Sequence, residues 1–82
     1  MRVTAVRTST IAVTDLVVTR GAAVEGALVL LFRSGQDKKL VDRQITDEEG
    51  QFSFGPIEGN VLYLIKVYKN SVKLRELEIV AD

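Results

Sequence analysis

Thr46-Asp47-Glu48-Glu49-Gly50-Gln51-Phe52-Ser53-Phe54 holds a turn and the start of a strand in one short run. Gly50 supplies the freedom to take a positive φ, and the side-chain oxygens of Thr46 and Asp47 are placed to bond the amides of the turn. Beyond the glycine, polar and apolar residues alternate, so Phe52 and Phe54 fall on one side of an extended chain and can fill the space between two sheets. Thr46, Asp47, Gly50, Phe52 and Phe54 each have a mechanical reason to be there, and none of those reasons requires catalysis.

Outward from this run the same pattern repeats. Short stretches rich in Val, Ile and Thr are separated by Gly or Asx clusters, and no segment sustains a helical period. Strands are expected over Arg2 to Arg7, Ile11 to Arg20, Val24 to Arg33, Lys39 to Thr46, Gln51 to Phe54, Val61 to Lys69 and Val72 to Val80. That is about seven strands, enough for an antiparallel Greek-key β-sandwich. Ser34-Gly35-Gln36-Asp37 and Asp47-Glu48-Glu49-Gly50 read as hairpin connections. Gly55-Pro56-Ile57-Glu58-Gly59-Asn60 contains the sole proline, which has no N–H to give a ladder, and a loop is expected there.

Period-two alternation assigns the faces. In Val24 to Arg33 one face is Ala27, Val29 and Leu31, and the other is Leu28, Leu30 and Phe32. In Val61 to Lys69 one face is Val61, Tyr63, Ile65 and Val67, and the other is Leu62, Leu64, Lys66 and Tyr68. Both strands are therefore apolar on both sides. In the last strand Val72 and Leu74 have one parity and Leu77 and Ile79 the other, so a β-bulge near Arg75-Glu76 is expected to bring the pairs to one side.

The chain has 82 residues, sufficient for one domain with one core, here residues 1–82. An end at Val80-Ala81-Asp82 suits a domain cut from a longer protein. With 46% hydrophobic and 27% charged residues it has the balance of a folded globular chain. Its 11 basic residues offset 11 acidic ones, so no net field gathers phosphate backbones, and nucleic acid is not expected as a partner. No apolar run approaches the roughly 20 residues of a membrane span, and Met1 to Arg7 lacks the apolar stretch of a signal peptide. The absence of cysteine and histidine excludes disulfides, thiol nucleophiles and the catalytic triads or metal sites built on those residues.

Thr46 to Phe54, continued by Gly55-Pro56-Ile57-Glu58-Gly59, resembles the T-D-x-x-G-x-F-x-F segment and glycine-containing turn of transthyretin-like, or carboxypeptidase-regulatory-like, domains. Gly21-Ala22-Ala23-Val24-Glu25-Gly26-Ala27-Leu28-Val29-Leu30-Leu31 is similar to the G-x-P-V-x-G-A-x-V-x-L segment of the same family, with Ala23 in place of the proline, and Val18 stands where an acidic residue is common. The resemblance spans roughly Leu16 to Lys69. It implies a Greek-key sandwich and an accessory, adhesive or scaffolding role, and it favours an extracellular or cell-surface setting. Enzymatic members that hydrolyse a purine-derived ring use histidines and a Tyr-Arg-Gly-Ser tail; this chain has neither. Adhesin members form a Lys–Asn isopeptide bond from a lysine in an early strand, whereas the first lysine here is Lys38, and Asn60 and Asn70 read as turn asparagines.

The remaining candidates are weighed by chemistry. Asp47, Glu48 and Glu49 offer oxygens to Ca²⁺ but lack the alternating ligands of a calcium loop, so a solvated turn is expected, with no metal and no cofactor. Lys66, Lys69, Lys73 and Arg75 would suit an anionic partner if gathered, but such residues more often solvate a sheet edge. The candidate interface is Leu28, Leu30, Phe32, Leu62, Leu64 and Tyr68, which lie opposite the expected core. Two alternatives stay open: that Val3 to Val13 covers this face within the domain, or that the faces are reversed. The expected function is a non-catalytic interaction or scaffold module contacting a partner protein, a neighbouring domain or an identical subunit. The alternative is an accessory carbohydrate-binding module.

Overall fold

In the computed structural model, residues 11–34 and 39–80 are described; the expected strand Arg2 to Arg7 and turn residues Gly35 to Asp37 lie outside them. All regular structure among the described residues is β: β1 (Ile11–Leu16), β2 (Val18–Thr19), β3 (Ala22–Ala23), β4 (Leu28–Arg33), β5 (Lys39–Ile45), β6 (Gln51–Ile57), β7 (Leu62–Lys69) and β8 (Val72–Val80). A four-stranded antiparallel sheet has the order β5-β4-β7-β8, β1 pairs with β6, and β2 pairs with β3.

The core follows the expected alternation. Ala27, Val29 and Leu31 leading into and along β4, and Tyr63, Ile65 and Val67 on β7, cluster with Phe52, Phe54 and Ile57 of β6 and with Val17. The β1–β6 pair thus covers the inner face of the larger sheet. The rings of Phe52 and Phe54 lie 5.7 Å apart in a tilted arrangement, and Val29, Leu31, Ile65 and Val67 are at most 1% exposed. Fully burying a side chain of this kind contributes about 1.5–3 kcal/mol. Leu74, Leu77 and Ile79 of β8 pack against the same cluster.

Bulges settle the phase of the edge strands. On β8, Tyr68 faces Lys73 while Val67 faces Arg75, so Leu74 is the extra residue, one position before the expected place. Two residues opposite one keep Leu74 on the core side as well as Leu77 and Ile79. Two-residue turns with positive φ at both positions join neighbouring strands: Arg20 and Gly21 between β2 and β3, and Asn70 and Ser71 between β7 and β8. This is the twist that suits a tight hairpin.

Four expectations need correction. The strand Ile11 to Arg20 breaks at Val17, whose N–H donates to Gly50 O at 2.8 Å and whose carbonyl accepts from Val24 N at 3.0 Å. The strand expected from Val24 begins only at Leu28, because Gly26 takes φ +75° and donates its N–H to Thr46 O. The Asp47 to Gly50 turn is no hairpin: β5 pairs with β4 and β6 with β1, so this turn carries the chain between layers. Gly55-Pro56 lies within β6 and not in a loop. The ladder shifts register there, between the Ile11–Ile57 and Val13–Phe54 pairs, which spares it a proline donor.

Candidate interaction face

The outer face of the four-stranded sheet is set by register, since directly opposed residues of an antiparallel pair share a side. Leu28 lies between Ile45 and Tyr68, Leu30 between Arg43 and Lys66, and Phe32 between Leu40 and Leu64. Across β7, Tyr68 opposes Lys73, Lys66 opposes Glu76, Leu64 opposes Glu78 and Leu62 opposes Val80. All six sequence-predicted residues therefore stand on one face, opposite the buried cluster, and the faces are not reversed. Leu64 is buried among its neighbours, Leu62 is 40% exposed, and Leu28, Leu30, Phe32 and Tyr68 are partly exposed.

Sequence reasoning missed Leu40, Ile45 and Val80, which extend the apolar face to both edges and are 48%, 60% and 54% exposed. On β5 the parity is hidden by a bulge: Leu31 faces Asp42 and Phe32 faces Leu40, leaving Val41 over. Inward positions of β5 hold Asp42 and Gln44, opposite Leu31 and Val29, so this strand is more apolar outside than inside.

Charges punctuate the face. The Lys66 ammonium lies 5.3 Å from the centroid of the Phe32 ring, close enough for cation–π attraction. Lys73 Nζ donates to Glu76 Oε1 at 2.9 Å; this bond, and the carboxylate's charge, raise the lysine above its usual pKa. Lys66, Lys69, Lys73 and Arg75 do not gather. Lys69 Nζ donates to the Glu25 carbonyl oxygen, and Arg75 points inward with its Nη2 3.5 Å from Asp15 Oδ2, joining the two layers at their rim.

The acidic turn is occupied by its own backbone. Asp47 Oδ1 accepts from the N–H groups of Glu49 and Gln51, both at 2.9 Å, and Gly50 N donates to Asp47 O. Thr46 is buried, accepting from Ala27 N at 2.8 Å and donating to Val24 O at 2.6 Å. Among the described residues no three His, Cys, Asp or Glu side chains converge in a metal-holding group. An open depression of about 460 Å³ borders the apolar face, lined by Ser34, Leu64, Glu76, Leu77 and Glu78.

No family model matches the chain, and neither the curated proteins nor the solved structures compared with it include a match.

Proposed function

We propose that this chain is a non-catalytic interaction or scaffold module that docks a protein surface on the outer face of its four-stranded sheet. The observation that carries the reading is the apolar outer face, in which Leu40, Ile45, Leu62 and Val80 are 40–60% exposed around Leu28, Leu30, Phe32, Leu64 and Tyr68 and which Arg43, Lys66, Lys73, Glu76 and Glu78 interrupt. Large apolar side chains gathered on one exposed sheet face and rimmed by charge are the pattern of an association site. The domain belongs, on this reading, with transthyretin-like Greek-key sandwiches. Support comes from the Thr46 to Gly59 segment and from a chain path that leaves β5, crosses to β6 in the other layer and returns as β7 beside β4.

The carbohydrate-binding alternative is disfavoured by the fate of the rings. Phe52, Phe54 and Tyr63 are buried, which leaves Phe32 and Tyr68 as stacking surfaces. The test is a pair of variants, Leu30→Glu and Leu64→Glu, assayed at low micromolar concentration with a dye that fluoresces on exposed apolar surface. Leu30→Glu is expected to keep the circular dichroism spectrum and melting temperature within a few degrees while dye binding falls severalfold. Leu64→Glu tests the better-buried centre of the same face. Unfolding of both variants would make the face part of the core and sink the reading.

A further inference from the structure

We infer that the bulge of β8 has two positions one residue apart, and that the contact between Arg75 and Asp15 sets how often each is filled; this does not depend on the interaction-face reading. In the inner arrangement, which the register shows, Tyr68 faces Lys73 and Val67 faces Arg75, with Leu74 left over. In the outer arrangement Leu74 takes the place opposite Val67, and Arg75 and Glu76 share the place opposite Lys66. Every other pair of the ladder, from Lys69–Val72 to Leu62–Val80, is the same in both.

The inner arrangement is strained by its arginine. Arg75 stands opposite the fully buried Val67 and two places before Leu77, which packs against the core cluster. Its Nε and Nη2, the two donors along one edge of the guanidinium, are both buried, and among the described residues neither has a hydrogen-bond acceptor. The Asp15 Oδ2 atom, 3.5 Å from Nη2, supplies charge but lies beyond the usual N–H···O distance. The other oxygen of Asp15 is engaged by its own backbone, accepting from Leu16 N at 2.8 Å. Unpaired buried donors on a charged group disfavour the state that holds them. Leu74, one residue away, is apolar and already packs against the cluster, so it can take the inward place. Side-chain alternation alone, with Val72 and Leu74 in one phase and Leu77 and Ile79 in the other, puts the extra residue at Arg75-Glu76.

Two things hold the inner arrangement: the charge of Asp15, and the packing of Leu74 together with the arginine methylenes at the rim of the core. The outer arrangement exchanges this link between the layers for a cation on the outer face beside Glu76, where the guanidinium meets solvent. The Arg75 and Asp15 side chains are 36% and 52% exposed. An ion pair that open is weak, so removing it shifts the balance only about twofold to fivefold.

The experiment is nitrogen relaxation dispersion on the backbone amides and the Arg75 Nε of the 82-residue chain, comparing wild type with Asp15→Asn and Arg75→Leu. Wild type is expected to exchange on the microsecond-to-millisecond scale, with dispersion confined to Lys66 to Tyr68, Lys73 to Glu76 and the Arg75 Nε. Asp15 is exposed, so Asp15→Asn is expected to keep the fold, and it should raise the minor population at least about twofold. Arg75→Leu puts an apolar side chain in the inward place and is expected to fix the bulge at Leu74, abolishing the dispersion while the amides of Tyr63 to Ile65 keep their shifts. Absence of dispersion at these sites in both wild type and Asp15→Asn overturns the second position. Dispersion that survives Arg75→Leu, or that runs evenly along β8 to Val80 as fraying of an edge strand would, overturns it as well. A minor population that Asp15→Asn leaves unchanged overturns the role given to Asp15.

Discussion

Gly50 and Thr46 hold the point where the two layers meet, Gly50 by lacking a Cβ and Thr46 by its buried hydroxyl. A Cβ built on Gly50 would sit 2.6 Å from Val17 O and 3.2 Å from Val24 N, with φ already at +76°. Both neighbours are backbone and are tied to each other by a hydrogen bond, so they have no cheap way to move. Gly50→Ala is expected to cost about 2–4 kcal/mol, the sum of left-handed strain and a main-chain collision, measurable by urea denaturation. At Thr46 the buried hydroxyl satisfies one donor and one acceptor, Ala27 N and Val24 O. Thr46→Val keeps the shape and orphans both, for about 2–4 kcal/mol, whereas Thr46→Ser keeps the bonds and is expected to cost about 1 kcal/mol. Equal losses for the two variants would show that the methyl and not the hydroxyl matters.

Strands β7 and β8 respond differently to the loss of one residue, because only β8 carries slack. Deleting Glu76 lets the bulge close: Leu74 takes the inward place of Arg75 opposite Val67, and Leu77 and Ile79 remain opposite Ile65 and Tyr63. Deleting Lys66 has no such remedy, since β4 and β7 pair without any shift from Leu28–Tyr68 to Arg33–Tyr63, and one end must turn its core residues outward. The first variant is expected to unfold cooperatively with a loss of about 1–2 kcal/mol, chiefly the Arg75–Asp15 contact and local twist. The second is expected to be unfolded by circular dichroism. The parity of β4 and β7, the need for a bulge in β8 and the six outward residues were legible in the sequence, because alternation is a local property written in side chains. The partner of each strand was not. The Asp47 to Gly50 turn has the composition of a hairpin, yet its Asp47 and Thr46 bonds serve a crossing between layers. The proline of β6 and the outward Leu40 were hidden for a shared reason: a register shift falls at each, and a shift breaks the period from which faces are read.

At the scale of the whole molecule the question is what opposes further strand pairing in a sheet with an apolar outer face and, among the described residues, two open edges. β5 and β8 are the terminal strands of the four-stranded sheet, and their outer backbone groups are a template for further strands. Both edges are guarded in the same two ways. Each has a bulge, at Val41 and at Leu74, that twists the strand away from a flat partner, and each is charged, with Lys39, Asp42 and Arg43 on one and Lys73, Arg75, Glu76 and Glu78 on the other. Face-to-face association through the apolar side is thereby permitted while edge-to-edge growth is opposed. Combining Asp42→Val with Gln44→Val would leave Arg43 as the single polar side chain between Leu40 and Ile45, in a strand of high β-propensity on an exposed edge. Asp42 and Gln44 are exposed, so the fold is expected to melt within a few degrees of wild type. Agitated at about 100 µM, the double variant is expected to form thioflavin-positive fibres within a period over which the wild type stays clear. If it stays as soluble as the wild type, the bulge at Val41 is sufficient protection by itself.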